Sequence, residues 1–135
     1  MKGLVHEDLT GRIIACAIEV HKTLGPGFLE STYETILFIE LQRAGLLVER
    51  QKKIIIHYRE AQIGEHRLDL LVENQIVVEL KAISALDDIH FAVVRSYLKA
   101  AGLEHGLLLN FANMPLTIKR VIHRPTQTNE ENLQL

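Results

Sequence analysis

The sequence predicts an α/β fold in which a mixed β-sheet is flanked by helices. Three observations carry that expectation. Two stretches with apolar residues at helical spacing open the chain. Three strand-like runs follow, divided by turn residues. A further helix then leads into a short run that is apolar throughout. The resulting order is helix, helix, three strands, helix, strand (ααβββαβ), and the helices must cover a strongly apolar sheet.

Residues 10–24 read as the first helix, with Ile13, Ile14, Ala17, Ile18, His21 and Leu24 on its apolar stripe and Thr10 as its N-cap. Gly25-Pro26-Gly27 stops it. The second helix spans about 29–44, with Leu29, Tyr33, Ile36, Leu37, Leu41 and Ala44 on one stripe and Gly45 just beyond its end. Val48 to Tyr58, Ile63 to Val72 and Ile76 to Ala82 read as strands, the last two joined through Glu73-Asn74-Gln75. Alternation puts Leu68, Leu70 and Val72 on one face and Arg67, Asp69 and Leu71 on the other. A third helix covers about 88–101, opened by Asp87 or Asp88 and closed by Gly102. Gly106 to Phe111 reads as a strand buried on both faces. Leu116 to Ile122 fits a short strand or a helical turn. These elements predict one domain over residues 1–124 and a loose tail over 125–135, where PTQTNEENLQL has little to bury.

Length and composition agree with one domain: 135 residues, 47% of them hydrophobic, can bury a real core. The formal charge of −2 is a poor footprint for a protein that coats nucleic acid. It leaves room for an enzyme that touches a few phosphates. Arg50, Lys52 and Lys53 form the one tight basic cluster, and a solvated strand end is the simpler reading of it. No uncharged apolar run reaches the roughly 18 residues that a membrane span needs. MKGLVHEDLTGR has no apolar core of a secretory leader. The single cysteine, Cys16, has no internal partner and is expected as a small buried side chain in a reducing cytoplasm.

The segment that carries chemistry is Arg67-Leu68-Asp69-Leu70, the turn, and then Ile76-Val77-Val78-Glu79-Leu80-Lys81. Glu79 and Lys81 are two apart on a strand and share a face. Both interrupt an apolar run, and a charge facing a core is costly unless it is paired or metal-bound. The length of the turn decides whether Asp69 joins them. A two-residue loop pairs Leu70 with Glu79 and sends Asp69 to the other face. A three-residue loop, Glu73 to Gln75, pairs Leu70 with Val78 and sets Asp69 opposite Glu79, with Cβ atoms about 4.5–5.5 Å apart. Two carboxylates that close repel, and a divalent cation between them removes the repulsion. The three-residue loop is therefore expected, with Mg²⁺ or Mn²⁺ in an oxygen-rich shell. By spacing alone, an ordinary cross-strand ion pair explains the same residues equally well.

At these residues the sequence resembles the PD-(D/E)XK nuclease superfamily, whose core motif is an acid, a gap and then D/E-x-K; Asp69 and Glu79-Leu80-Lys81 match it. Gly27-Phe28-Leu29-Glu30-Ser31-Thr32-Tyr33 fits the signature of the GxxExxY family, a group of small bacterial and archaeal proteins assigned to that superfamily. The lead-in Glu19 to Gly27, Arg67 to Leu70, and Leu108 to Phe111 are also similar to it. The likeness covers roughly residues 9–124. It implies a restriction-endonuclease-like core, with Glu30 as an acid from the preceding helix and a further metal ligand. Related nucleases often place a Gln four residues before a Tyr on the helix after the D/E-x-K strand. Tyr97 is present here, but the Gln position is Val93, and His90 one turn earlier is a substitute or a helix cap.

Two functions follow as expectations. The first is a Mg²⁺- or Mn²⁺-dependent nuclease acting on DNA or RNA, DNA being favoured, with Glu30, Asp69, Glu79 and Lys81 at the site and His21, Tyr33, His90 and Tyr97 as accessory candidates. Asp69, Glu79 and Glu30 would hold the metal. The second is a non-catalytic binding or regulatory module, or an accessory subunit, on the same fold; the low basic charge and Val93 favour it. A chain this small acting on two strands would work as a homodimer or with a protein partner.

Overall fold

The computed structural model describes residues 2–125. The elements run α1 (Lys2–Leu24), α2 (Glu30–Arg43), β1 (Val48–Tyr58), β2 (Ala61–Val72), β3 (Ile76–Lys81), α3 (Asp88–Ala101), β4 (His105–Asn110) and β5 (Thr117–Ile122). This is the expected order with one strand added, because Leu116 to Ile122 resolves as a strand on the sheet edge. The tail expected over 125–135 lies, from residue 126 on, outside the described residues.

The sheet is mixed, in the order β1-β2-β3-β4-β5. β1 to β3 form an antiparallel meander, β4 runs parallel to β3 after the α3 crossover, and β5 returns antiparallel. A parallel pair needs such a long connection, and a helix supplies it. Helices cover both faces. On one, Leu9, Ile13, Ala17 and Val20 of α1 and Tyr33, Leu37 and Leu41 of α2 pack with Leu70, Val72, Val78, Leu80, Leu107 and Leu109. On the other, Val94 and Leu98 of α3 pack with Leu68, Leu71, Val77 and Leu108. β4 is therefore buried from both sides, which is why its sequence shows no polar alternation.

Four sequence expectations change, the first being that Leu68 packs under α3 and not on the face of Leu70 and Val72. α1 begins before Thr10, because Leu9 already continues its stripe and is buried. Thr10 is not a cap: its hydroxyl donates to the Glu7 carbonyl at 3.1 Å and accepts from Arg120 at 2.6 Å. Leu29 stands before α2, 74% exposed, and is outside the buried stripe. Cys16 is half-buried at the core margin rather than within it, and burial pushes its thiol pKa up.

The turn between β2 and β3 has the expected three residues. Val72 pairs with Ile76 and Leu70 with Val78. Glu73 and Asn74 both adopt left-handed backbone, φ 53° and 55°, a conformation that costs an ordinary side chain some strain. Glu73 is held by two bonds to the chain before β1: its N–H donates to the Leu47 carbonyl at 2.8 Å, and its carboxylate accepts from the Leu47 N–H.

α3 packs closely on the sheet at Gly106. A Cβ placed there would stand 3.1 Å from Cγ1 of Val94 and 3.4 Å from the Val77 carbonyl. Val94 is 2% exposed and has little room to yield. Gly106→Ala is expected to destabilise the protein by about 1–3 kcal/mol. Urea unfolding measures this, and an unchanged midpoint would show that the α3 face is looser than described.

Candidate functional site

Asp69 and Glu79 meet where the sheet opens. The β2–β3 pairing ends at Leu70 and Val78. Beyond it the ladder is replaced by two side-chain bonds that cross. The Asp69 N–H donates to Oε1 of Glu79 at 3.1 Å, and Oδ2 of Asp69 accepts from the Leu80 N–H at 2.9 Å. Each acid thus binds a backbone amide of the opposite strand, so the strands are free to part while the carboxylates stay fixed. Glu79 is 6% exposed. Burial pushes its carboxyl up to about 8, and the neighbouring Asp69 charge adds to the effect.

One pocket of about 220 Å³ gathers most of the expected residues: Glu30, Asp69, Glu79, Lys81, His90 and Tyr97, together with His66 and Val93. Glu30 opens α2 at the pocket rim and is exposed. Partial desolvation raises its carboxyl pKa, the Lys81 charge opposes that, and Asp69 and Glu34 reinforce it. Lys81, at the end of β3, also draws Glu79 toward its ionised form. The β3 terminus is fixed by the buried Asn110 at the end of β4. Its amide oxygen accepts from the Ile83 and Ala112 N–H groups at 3.1 and 3.2 Å, and its amide nitrogen donates to the Ile83 carbonyl at 2.9 Å.

His90 faces two ways. It lines the pocket, and its Nδ1 accepts the Asp87 N–H at 2.8 Å at the start of α3. A nitrogen that accepts carries no proton, so the neutral ring has its proton on Nε2. His90 is therefore both a cap and a pocket residue. His66 stacks on Tyr97, with ring centroids 3.6 Å apart and 14° between planes. Its Nε2 is buried without a hydrogen-bond partner, and desolvation followed by the Lys81 charge lowers its pKa. Burial, Glu79 and Asp69 raise that of Tyr97.

Two expected residues lie elsewhere. His21 is buried against a different cavity, with Ile18, Lys22 and Met114 to Leu116, and its Nε2 bonds the Phe111 carbonyl at 3.0 Å. Tyr33 does not line the pocket. Its hydroxyl donates to the Gly25 carbonyl at 2.6 Å and accepts from the Phe28 N–H at 3.2 Å. It fastens the loop that delivers Glu30, a loop in which Gly25 and Gly27 take φ of 70° and 109°. The basic cluster is paired internally: Arg50 with Glu34 at 3.0 Å, Lys52 with Glu49 at 3.1 Å and Lys53 with Glu65 at 3.6 Å.

The donor set suits a hard divalent cation. Asp69 and Glu79 offer carboxylate oxygens, Glu30 stands at the rim, and the unpartnered His66 nitrogen adds a polar atom to the same wall. Among the described residues, no three His, Cys, Asp or Glu side chains close round one point. Asp69 and Glu79 are the two carboxylates that the crossed amide bonds hold together in this pocket.

A five-stranded mixed sheet with an acidic fork at its open seam defines a nuclease-like α/β fold of the restriction-endonuclease kind. A family model for the PD-(D/E)XK nuclease superfamily matches residues 7–121, and the chain belongs to that superfamily. No curated protein and no solved structure matches it.

Sequence reasoning missed four residues here. His66 carries no local signal: three residues before Asp69, regular strand alternation would put it on the other face of the sheet. Asn110 stood within an apolar run and a segment similar to the GxxExxY family, with no role of its own. Glu34 and Gln51 depend on contacts between α2 and β1 that no local pattern announces.

The raised pKa of Glu79 has a consequence with a definite sign. Between its ordinary value of 4.5 and about 8, the folded chain keeps a proton that the unfolded chain has lost. Stability without metal therefore falls as pH rises through that window. The protein is expected to melt at lower temperature at about pH 8.5 than at about pH 6, and Glu79→Gln to flatten that slope. Equal slopes in thermal melts of both proteins would remove Glu79 as its source.

Proposed function

We propose that this chain is a divalent-metal-dependent nuclease that hydrolyses phosphodiesters in DNA or RNA, DNA being favoured, and that it falls in the GxxExxY group. The observation that carries this reading is the crossed pair of Asp69 and Glu79 beside Lys81 in a single pocket. Asp69, Glu79 and Glu30 would hold Mg²⁺ or Mn²⁺. The cation would supply a Lewis acid beside the scissile phosphate. Asp69 and Glu79 are already fixed by backbone amides, so they need little reordering to receive it. Lys81 brings a positive charge to the same pocket, suited to orienting the attacking water or stabilising negative charge developing on the phosphate. His90, whose Nδ1 is taken up by the Asp87 N–H, would offer Nε2 as a donor in the same pocket. Gly27, Glu30 and Tyr33 support the group assignment: Gly27 makes the turn, Tyr33 ties it, and Glu30 reaches the pocket rim.

The nuclease would occupy one domain, residues 1–124, in the cytoplasm, with a homodimer or a protein partner where two strands are cut. No helix among the described residues is long and apolar enough to cross a membrane.

A non-catalytic binding module or accessory subunit is the second reading. Val93 favours it, because it gives the pocket an apolar wall where a hydrogen-bonding Gln would serve catalysis. The internal pairing of Arg50, Lys52 and Lys53 favours it too.

One assay decides between them. Single- and double-stranded DNA and RNA are incubated with purified protein in Mg²⁺ or Mn²⁺. Cleavage is expected only with metal, and Lys81→Ala and Asp69→Ala are each expected to lower it by about a hundredfold or more. Cleavage that survives both substitutions comes from a contaminant. Absence of cleavage, with no calorimetric uptake of Mn²⁺ by the folded protein, establishes the module instead.

A further inference from the structure

Gln51 sits directly opposite Asp69 on β1, and that rung is the one the ladder skips. Arg50 pairs with Leu70 and Lys52 with Leu68, but no pairing joins Gln51 to Asp69. Gln51 has φ 51°, a left-handed conformation that a non-glycine residue keeps only when its surroundings impose it. The alternation of β2 changes at the same point. Leu70 and Val72 share the face toward α1 and α2, whereas Leu68, expected beside them, joins the cluster under α3. The local distortion at this skipped rung accounts for the departure from the strict alternation read in the sequence.

The side chains of Gln51 and Arg50 are both held by Glu34, one helical turn beyond Glu30 on α2. It is a 6%-exposed carboxylate. Its Oε1 accepts from Nε2 of Gln51 at 2.9 Å. Its Oε2 accepts from Nη2 and Nε of Arg50 at 3.0 and 3.3 Å. Arg50 is gripped further by α2: Nη2 donates to Thr35 Oγ1 at 3.0 Å, and its guanidinium lies 5.4 Å from the Phe38 ring centroid. Burial raises the Glu34 pKa, and Asp69 is near enough to add to the shift.

We propose that Glu34 is a positioning residue for Asp69: by holding Gln51 left-handed through Gln51 and Arg50, it keeps Asp69 out of the β1 ladder. Asp69 is then released from regular pairing on both sides, by the skipped rung toward β1 and by the fork toward β3. Its carboxylate is left to the Leu80 amide and the pocket. Glu34 itself is committed to Arg50 and Gln51, so it stands apart from the proposed metal ligands although it is an acid near Asp69. The inference deepens the nuclease reading where turnover is measured, and stands independently of it where backbone exchange is measured.

The test is a rescue. Glu34→Ala is expected to lower kcat by about tenfold or more while changing KM for nucleic acid less than about twofold. Glycine reaches left-handed backbone without strain, so Glu34→Ala combined with Gln51→Gly is expected to recover most of the lost kcat. Glu34→Gln keeps one acceptor and most of the packing; it is expected to fold and to lose less than Glu34→Ala, which guards against a variant that fails to fold. Amide exchange followed by NMR supplies the readout that needs no activity. Glu34→Ala is expected to speed exchange at Leu80 by about tenfold as the Asp69 carboxylate leaves it, to slow exchange at Asp69 as that amide enters the β1 ladder, and to leave Leu107 to Leu109 unchanged. No rescue by Gln51→Gly, or unaltered exchange at Asp69 and Leu80 in every Glu34 variant, would overturn the proposal. If wild type cuts nothing while the exchange pattern appears as expected, the nuclease reading fails and the positioning role of Glu34 holds.

Discussion

Asp69 and Glu79 face each other across neighbouring strands, and the fold has to answer their repulsion. Without a cation it does so by proton uptake on Glu79 and by giving each acid an amide of the other strand. The second answer requires that β2 and β3 stop pairing at that point. A continuous ladder would have used the Asp69 and Leu80 amides for backbone bonds. The open seam thus lets the half-buried Asp69 stand beside Glu79, which is only 6% exposed.

Other parts of the molecule fix the geometry of that seam. The turn at Glu73 to Gln75, tied to Leu47, sets which residues face each other. Asn110 clamps the segment after Lys81. Tyr33 fastens the loop that ends at Glu30. α2 carries three successive tasks within five residues: Glu30 reaches the pocket, Tyr33 anchors the loop, and Glu34 grips β1. Their spacing of three and four places all of them on one side of the helix, which is why a short motif in sequence works as a single unit in space.

The sheet, its helices and the face shared by Glu79 and Lys81 were legible in the sequence because period and turn length are local properties. The three-residue turn could be reasoned from a cation shared by the two acids, since only that register sets them together. Thr10 was misread because a capping residue type does not reveal whether an apolar stripe continues upstream. His21 and Tyr33 lay on the right helices but point to other work, and a helical stripe does not say which end of it meets the pocket. Glu34 and Gln51 were invisible for a deeper reason. A left-handed residue within a strand is produced by tertiary contact, in this case an acid 17 positions earlier.

The turn at Glu73 to Gln75 also bears on how such a chain can change by insertion and deletion. Register at Asp69 and Glu79 is counted from that turn, so losing or gaining one residue there would carry Asp69 to the wrong side of the sheet. The far end of the β1–β2 hairpin, at Tyr58 to Ala61, counts for nothing in that reckoning. Arg59 already takes a left-handed turn there, Tyr58 is exposed, and the pairing shifts at Ile56 and His57 with no effect on the fork. Length variation in descendants of this chain is therefore free to accumulate at the hairpin tip, the place where new surface for recognition can grow without disturbing the acids.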